Sequence, residues 1–186
     1  MGWTEKYARD PGHTAAPDVV MAFDARADAL LDPWRGPALD TFFYGISSAA
    51  DHSLIWHVLG AWRAAARKDP AWAAKFALVM GAESAVTNGL VKRLFRRVRP
   101  EHPITEGPLP MGMRRPITSS FPSGHATAAF TAAAVLSDDG NTVAWFALAT
   151  VVAYSRVYVR MHHTSDIVVG AALGLALGRA ARRVLR

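Results

Sequence analysis

The sequence predicts an all-α protein: a helical bundle embedded in a membrane, with about five transmembrane helices and interfacial helices ahead of them. Three observations carry this expectation. Five apolar stretches of helical character follow one another, at 53–66, 71–91, 124–137, 142–160 and 165–182. Two segments, TVAWFALATVVAY (142–154) and IVVGAALGLALG (167–178), are almost purely apolar. In the second, Gly170, Gly174 and Gly178 recur every four residues, a stripe of small residues that lets membrane helices pack closely. Against this, several stretches are shorter than the ~20 residues that crossing a bilayer requires. They also carry Glu83, Ser84 and Asn88, and the mean hydropathy of +0.11 is low for a multi-span protein. A soluble, Ala-rich bundle is therefore the competing architecture.

The elements before the bundle are polar. Residues 1–17 hold Pro11, Gly12 and Pro17 among scattered charges and read as a poorly ordered tail. Over 18–31, Asp18, Asp24 and Asp28 interleave with Val20, Met21, Ala27 and Leu31, the pattern of a weakly amphipathic helix. Pro33 and Pro37 interrupt it. Residues 38–50 predict a helix lying in the membrane interface, with Phe42, Phe43 and Tyr44 as anchors. The chain thus divides into 1–50, tail and interfacial helices, and 51–186, the membrane-embedded domain. The first thirty residues lack a basic start followed by an apolar run, so no cleavable signal peptide is expected.

Charge narrows the chemistry. The 186 residues carry a formal net charge of +6 and no cysteine, which excludes disulfides and thiolate metal sites. Residues 1–50 have 4 Lys/Arg against 7 Asp/Glu, a net of −3, so the remainder carries +9. Such an excess points to an anionic partner: phosphate, an acidic membrane surface or nucleic acid. Much of it lies in 92–123, a long polar connection with five prolines ahead of Pro122. Long loops in small domains are functional or disordered, and this charge content favours function.

Three pieces carry chemistry. In KRLFRRVRP, Lys92 and Arg99 are seven residues apart, two turns of a persisting helix, and two cations facing one point make an anion site. Arg93, Arg96 and Arg97 read as solvated or lipid-facing. In FPSGH, Ser123 is a good N-cap for the apolar helix that follows, and backbone N–H groups at such an end bind anions. Gly124 admits close approach, and His125 reaches the same ligand. In SRVYVRMHHTSD, His162 and Asp166 stand four apart. A carboxylate holding one imidazole nitrogen frees the other as nucleophile or base. Arg156 lies six residues upstream of His162, and His163 competes with it. A metal site built on His162, His163 and Asp166 is a rival reading that lacks a supporting carboxylate cluster.

Taken together and in this order, the pieces resemble the signature of the type 2 phosphatidic acid phosphatase superfamily: K-x6-RP, PSGH, then SR-x5-H-x3-D. Every position is filled, by Lys92, Arg99-Pro100, Pro122-Ser123-Gly124-His125, Ser155-Arg156, His162 and Asp166. Asn88, four before Lys92, also fits, and the resemblance spans about residues 84–178. It implies a membrane-bound phosphatase that works through a phosphohistidine and needs no cofactor or metal. His162 is then the nucleophile, Asp166 its partner, and His125 the acid and base. Lys92, Arg99, Ser123, Gly124 and Arg156 bind the phosphate.

The expected substrate is a membrane lipid phosphate, first a polyprenyl phosphate or diphosphate. Phosphatidate, phosphatidylglycerol phosphate and polyprenyl phosphosugars such as decaprenylphosphoryl phosphoribose are the alternatives. A vanadium haloperoxidase and a basic lipid- or nucleic-acid-binding membrane protein are more distant readings, and nucleic acid is not expected as a partner. Since the 92–123 loop and the 161–164 turn must meet, they share one face. Basic residues at 63–75 and the C-terminal arginines gather on the other, which the positive-inside bias assigns to the cytoplasm. The active site is then extracytoplasmic in a multi-pass protein of the cell membrane.

Overall fold

The computed structural model describes residues 16–104, 109–114, 116–137 and 140–185. The tail expected before residue 16 and the Asp138-Asp139 turn lie outside them. Among the described residues the regular structure is entirely helical. Seven helices follow in order: α1 (Asp18–Leu31), α2 (Pro37–Ala49), α3 (Leu54–Arg67), α4 (Pro70–Ser84), α5 (Gly124–Leu136), α6 (Thr142–Tyr158) and α7 (Thr164–Leu185).

Local chemistry sets the boundaries. α3 stops where Lys68 turns left-handed (φ 55°). Two residues later α4 starts with Pro70 at its first position, and Asp69 accepts the Trp72 N–H at 3.0 Å. α4 does not end at Ser84; it runs on through a π-helical stretch, Ala85–Val91, and a turn, Lys92–Leu94. π-helical turns re-aim side chains and are frequent at functional sites.

The bundle is built around α5. Ten of its thirteen residues are buried, mostly alanines and threonines, so neighbours approach its backbone closely. α7 packs on it through the expected glycine stripe. A Cβ on Gly170 would come 2.7 Å from the Ser123 carbonyl oxygen, and one on Gly178 would come 2.6 Å from Ala134 Cβ. Thr131 Oγ1 donates to the Gly174 carbonyl across the same contact at 3.1 Å. Trp56 of α3, Phe76 and Met80 of α4, and Ala149 and Val152 of α6 complete the core.

The outer surface is unusually apolar. On α3, Leu54, Val58 and Trp62 form an exposed stripe at four-residue spacing, 59%, 58% and 63% accessible. Leu78, Val143 and Val168 are exposed as well. Soluble proteins rarely leave such continuous patches uncovered. Among the described residues one helix, over Thr164–Arg183 in α7, is long and apolar enough to cross a membrane by length and composition; α5 and α6 are apolar but shorter.

The two N-terminal helices lie against the bundle. α1 packs on α7, and α2 packs on α6, where Phe43 stacks on Tyr158 with centroids 4.3 Å apart. This corrects the expected row of interfacial anchors. Tyr44 is buried with its hydroxyl 2.9 Å from His102 Nε2, so only Phe42, half exposed, points outward. Three successive helical residues lie ~100° apart and cannot share one face.

Candidate active site

Lys92 and Arg99 do converge, but not on one helix. Helical structure ends at Leu94, and Phe95 is extended (φ −127°, ψ 142°). Pro100 excludes helical geometry at Arg99, and the segment pairs instead with 118–120. Ser120 N–H donates to the Arg97 carbonyl, and Ser120 Oγ donates to the Val98 carbonyl. Arg99 is locked by donating through Nη2 to the Thr118 and Ser119 carbonyls, both at 3.2 Å, and through Nη1 to the Met161 carbonyl. Arg156, in the last turns of α6 and 3% exposed, is held by Ser47 Oγ of α2.

Ser123 caps α5 as expected, its hydroxyl accepting the Ala126 N–H at 3.4 Å. Gly124 faces Asn88: a Cβ there would sit 3.1 Å from Asn88 Oδ1. Asn88 is itself oriented by donating to Ser84 Oγ at 3.1 Å. His125 Nε2 lies 3.0 Å from Asp51 Oδ1, at an angle too poor for a good hydrogen bond, and Asp51 also approaches Arg156 Nη1 to 3.9 Å. Asp51 sits in a turn where His52 and Ser53 are both left-handed (φ 52° and 60°), a costly backbone that points to a positional requirement. Sequence reasoning missed Asp51, since no motif or spacing links it to His125.

His162 and Asp166 also meet by another route than a shared helix face. α7 starts only at Thr164, so His162 lies in the turn before it. Asp166, in the first helical turn, accepts the His163 N–H at 2.9 Å through Oδ2. The same oxygen stands 3.5 Å from His162 Nδ1. The other imidazole nitrogen, Nε2, faces the cage, 3.2 Å from Arg99 Nη1. The side chain of His163 turns away, with Nε2 3.1 Å from the Val98 carbonyl. Arg97 is neither solvated nor lipid-facing, as the sequence suggested. It is buried and ion-paired with Asp166 at 2.6 Å and with Asp24 of α1 at 2.5 Å. In an extended segment alternate residues share a side, so Arg97 follows Arg99 inward.

These groups open on a cavity of about 830 Å³. Six of the eight expected site residues line it: Lys92, Arg99, Gly124, His125, Arg156 and His162. Ser123 and Asp166 stand behind its wall, fully buried. Arg99 Nε, Arg156 Nε and His162 Nδ1 are buried without a hydrogen-bond partner, an uncommon concentration in a protein interior. Burial pushes the His162 pKa well below its usual value, helped by Arg99, Arg156 and Lys92, so the ring is neutral and its lone pair available near pH 7. Burial also lowers Arg99, with Arg156 adding to it, to about 10, which leaves Arg99 charged. For Asp51 burial acts upward, but His125 and Arg156 outweigh it and hold the carboxyl below its usual range. Among the described residues no group of three His, Asp or Glu is placed to hold a metal ion.

A neutral, buried imidazole aimed into a cage of fixed cations, with a second histidine across it, is built for phosphoryl transfer. Residues 72–186 match the PAP2 superfamily, and the chain belongs to that family. It is a lipid phosphate phosphatase, as the three motifs imply. Among curated relatives, the decaprenylphosphoryl-5-phosphoribose phosphatase of Mycobacterium tuberculosis is 34% identical over 164 residues, 86% of each chain. Its namesake in Mycolicibacterium smegmatis is 34% identical over 136 residues, 72% of each. Among solved structures, the transmembrane PAP2-type phosphatidylglycerolphosphate phosphatase of Bacillus subtilis superposes with a TM-score of 0.70 at 26% identity. That match covers 90% of this chain and 87% of the other. A transmembrane neighbour, together with α7, supports a membrane location for this protein.

Proposed function

We propose that the protein removes the terminal phosphate from a polyprenyl-linked phosphosugar of the decaprenylphosphoryl-5-phosphoribose type, through a phosphohistidine and without a metal. The observation that carries the substrate is the 34% identity over 86% of both chains to a phosphatase of that name. It favours the phosphosugar alternative over the plain polyprenyl phosphate that the sequence placed first. The cavity supports it, because beyond the cage it is lined by Ser84, Asn88 and His57, polar groups suited to sugar hydroxyls.

In this reading His162 Nε2 attacks phosphorus in line, and the bond to the sugar oxygen breaks. His125 gives that oxygen a proton, then takes one from water as the water attacks the phosphohistidine, releasing inorganic phosphate and free His162. The Asp51 carboxylate favours the protonated form of His125 by its negative charge, and Asp166 steadies His162 as it becomes cationic. Lys92, Arg99 and Arg156, with the Gly124 N–H, bind the phosphoryl oxygens and stabilise the charge that a divalent ion balances in other phosphotransferases, while Ser123 holds the start of α5 from behind the wall. Phosphate release from a panel containing decaprenylphosphoryl-5-phosphoribose, a polyprenyl diphosphate, phosphatidylglycerol phosphate and phosphatidate is the test. The phosphosugar should lead in kcat/KM by about tenfold or more, chelator should have no effect, and vanadate should inhibit. Preference for phosphatidylglycerol phosphate would overturn the substrate; activity lost in chelator and restored by magnesium would overturn the chemistry.

The proposed setting is a five-span membrane domain, with 1–50 as a flanking interfacial unit. The lipid-compatible stripe Leu54, Val58 and Trp62 supports it, as do the exposed Leu78, Val143 and Val168 on three further helices. The catalytic end faces the extracytoplasmic side, and Lys68 and the C-terminal arginines face the cytoplasm. Single cysteines replacing Leu30 and Ile117 should react with an impermeant thiol reagent on intact cells, and those replacing Lys68 and Arg183 should not. The reverse pattern inverts the topology.

A further inference from the structure

α1 buries a single residue, and that residue is an acid, Asp24, 5% exposed. Val19, Met21, Phe23 and Leu30 of the same helix are exposed. α1 therefore turns a carboxylate to the bundle at its most buried position, flanked on the same face by the half-buried Val20, Ala27 and Leu31, and a buried carboxylate persists only when its hydrogen bonds are made. Here they are. Asp24 Oδ1 accepts the Ser165 N–H at 2.7 Å at the start of α7. Asp24 Oδ2 accepts from Ser165 Oγ at 2.7 Å and from Arg97 Nη2 at 2.5 Å. Arg97 donates through Nη1 to Asp166 Oδ1 at 2.6 Å, which turns the opposite oxygen, Oδ2, toward His162 Nδ1.

The charges add to this geometry. Arg97 and Asp166 alone would form a neutral pair. With Asp24 on the other prong of the guanidinium, the group of three keeps one net negative charge beside the imidazole. We propose that Asp24, acting through Arg97, is a positioning residue for Asp166, fixing its orientation and preserving a negative charge next to His162 as the imidazole takes up the phosphoryl group. This rests on the reading of His162 as the nucleophile.

The groups facing His162 are Arg99, Asp166, Lys92, Arg156 and His125, and Asp24→Asn replaces none of them; of these only Asp166 is held through Arg97. In Asp24→Asn one negative charge is lost, so the protonated imidazole is disfavoured further, and the acid limb of kcat/KM moves to lower pH. The cationic phosphohistidine loses support, so kcat falls by about tenfold or more, as when an outer hydrogen-bonding partner of a site residue is lost. KM stays within about twofold, because the phosphate cage is intact. A purely structural role would lower activity equally at every pH.

The experiment is a pH–rate profile in detergent micelles with the lipid phosphate that the wild-type protein hydrolyses fastest, on protein shown monodisperse by gel filtration. Arg97→Lys, which replaces the two fixed donor prongs of the guanidinium with one nitrogen, should also lose kcat, and it serves if Asp24→Asn does not fold. The charge-balanced double variant Asp24→Asn with Arg97→Gln should move the acid limb back up. An unmoved acid limb, or kcat near wild type in folded protein, overturns the proposal. If His162→Ala remains active, the phosphohistidine reading has failed; if it is inactive while Asp24→Asn keeps its kcat, only the role of Asp24 is wrong.

Discussion

The His162→Ala protein is expected to fold and to bind lipid phosphate, but to release phosphate at least about 10³-fold more slowly than wild type. His162 Nε2 faces Arg99 and the cavity, its other nitrogen faces Asp166, and burial among cations keeps the ring neutral. Among the described residues this imidazole combines a free lone pair, a carboxylate behind it and the cage in front. The phosphate ligands Lys92, Arg99 and Arg156 are untouched by the change, so binding should survive. The contrast is His163→Ala. Its ring points at the Val98 carbonyl, and its contribution to Asp166 comes from the backbone N–H, which alanine keeps. It should retain most of its activity. Single-turnover phosphate release, with trapping of an acid-labile phosphoprotein, separates the two. A His163→Ala protein as inactive as His162→Ala would mean that the wrong histidine has been assigned.

Gly170→Ala is expected to have the next largest effect on turnover, about a hundredfold, although residue 170 touches no substrate. A Cβ at Gly170 would meet the Ser123 carbonyl oxygen at 2.7 Å, Ala126 Cβ at 3.1 Å and Thr127 Oγ1 at 3.3 Å. The first of these is backbone and cannot rotate aside, so α5 and α7 must separate. Ser123, Gly124 and His125 ride on α5, whereas Asp166 rides on α7 and His162 just precedes it. The Ser123 N–H to Asp166 carbonyl hydrogen bond, 3.1 Å, stitches the two halves together. Opening that seam moves the general acid and the cage away from the nucleophile. A misplacement of about 1 Å is worth about a hundredfold in rate, and overpacking costs about 1–3 kcal/mol of stability. The control is Gly45→Ala in α2, where no atom lies within 4 Å of the added methyl and both rate and thermal midpoint should hold. Comparable losses in the two variants would show that the α5–α7 spacing does not set the rate.

Much of this was readable from local chemistry. Ser123 before an apolar run meant an N-cap, and the structure has it there. Glycines every four residues meant a close helix contact, and α7 makes it against α5. The three motifs, with correct internal spacings, led to the family that the comparisons assign. The reasons given for two convergences were nevertheless mistaken. Lys92 and Arg99 meet because the chain reverses into an extended segment that pairs with 118–120, not because a helix persists. His162 and Asp166 meet at a helix N-terminus, with His162 in the turn before it.

What the sequence determined by itself is whatever depends on near neighbours in the chain: helix starts, small-residue stripes, the His162–Asp166 spacing and the excess of positive charge. What only the tertiary structure decided is which charges neutralise one another across long separations. Arg97 looked like one more surface cation, and Asp24 like the polar face of an amphipathic helix, yet they are buried together, 73 residues apart, behind Asp166. Asp51 reaches His125 only because a doubly left-handed turn delivers it. A buried charge needs a partner of opposite sign but does not specify where in the chain that partner lies; packing makes that choice. Local pattern therefore announces the helices and the motif residues, while the ion pairs that orient them emerge only when the helices have closed around α5.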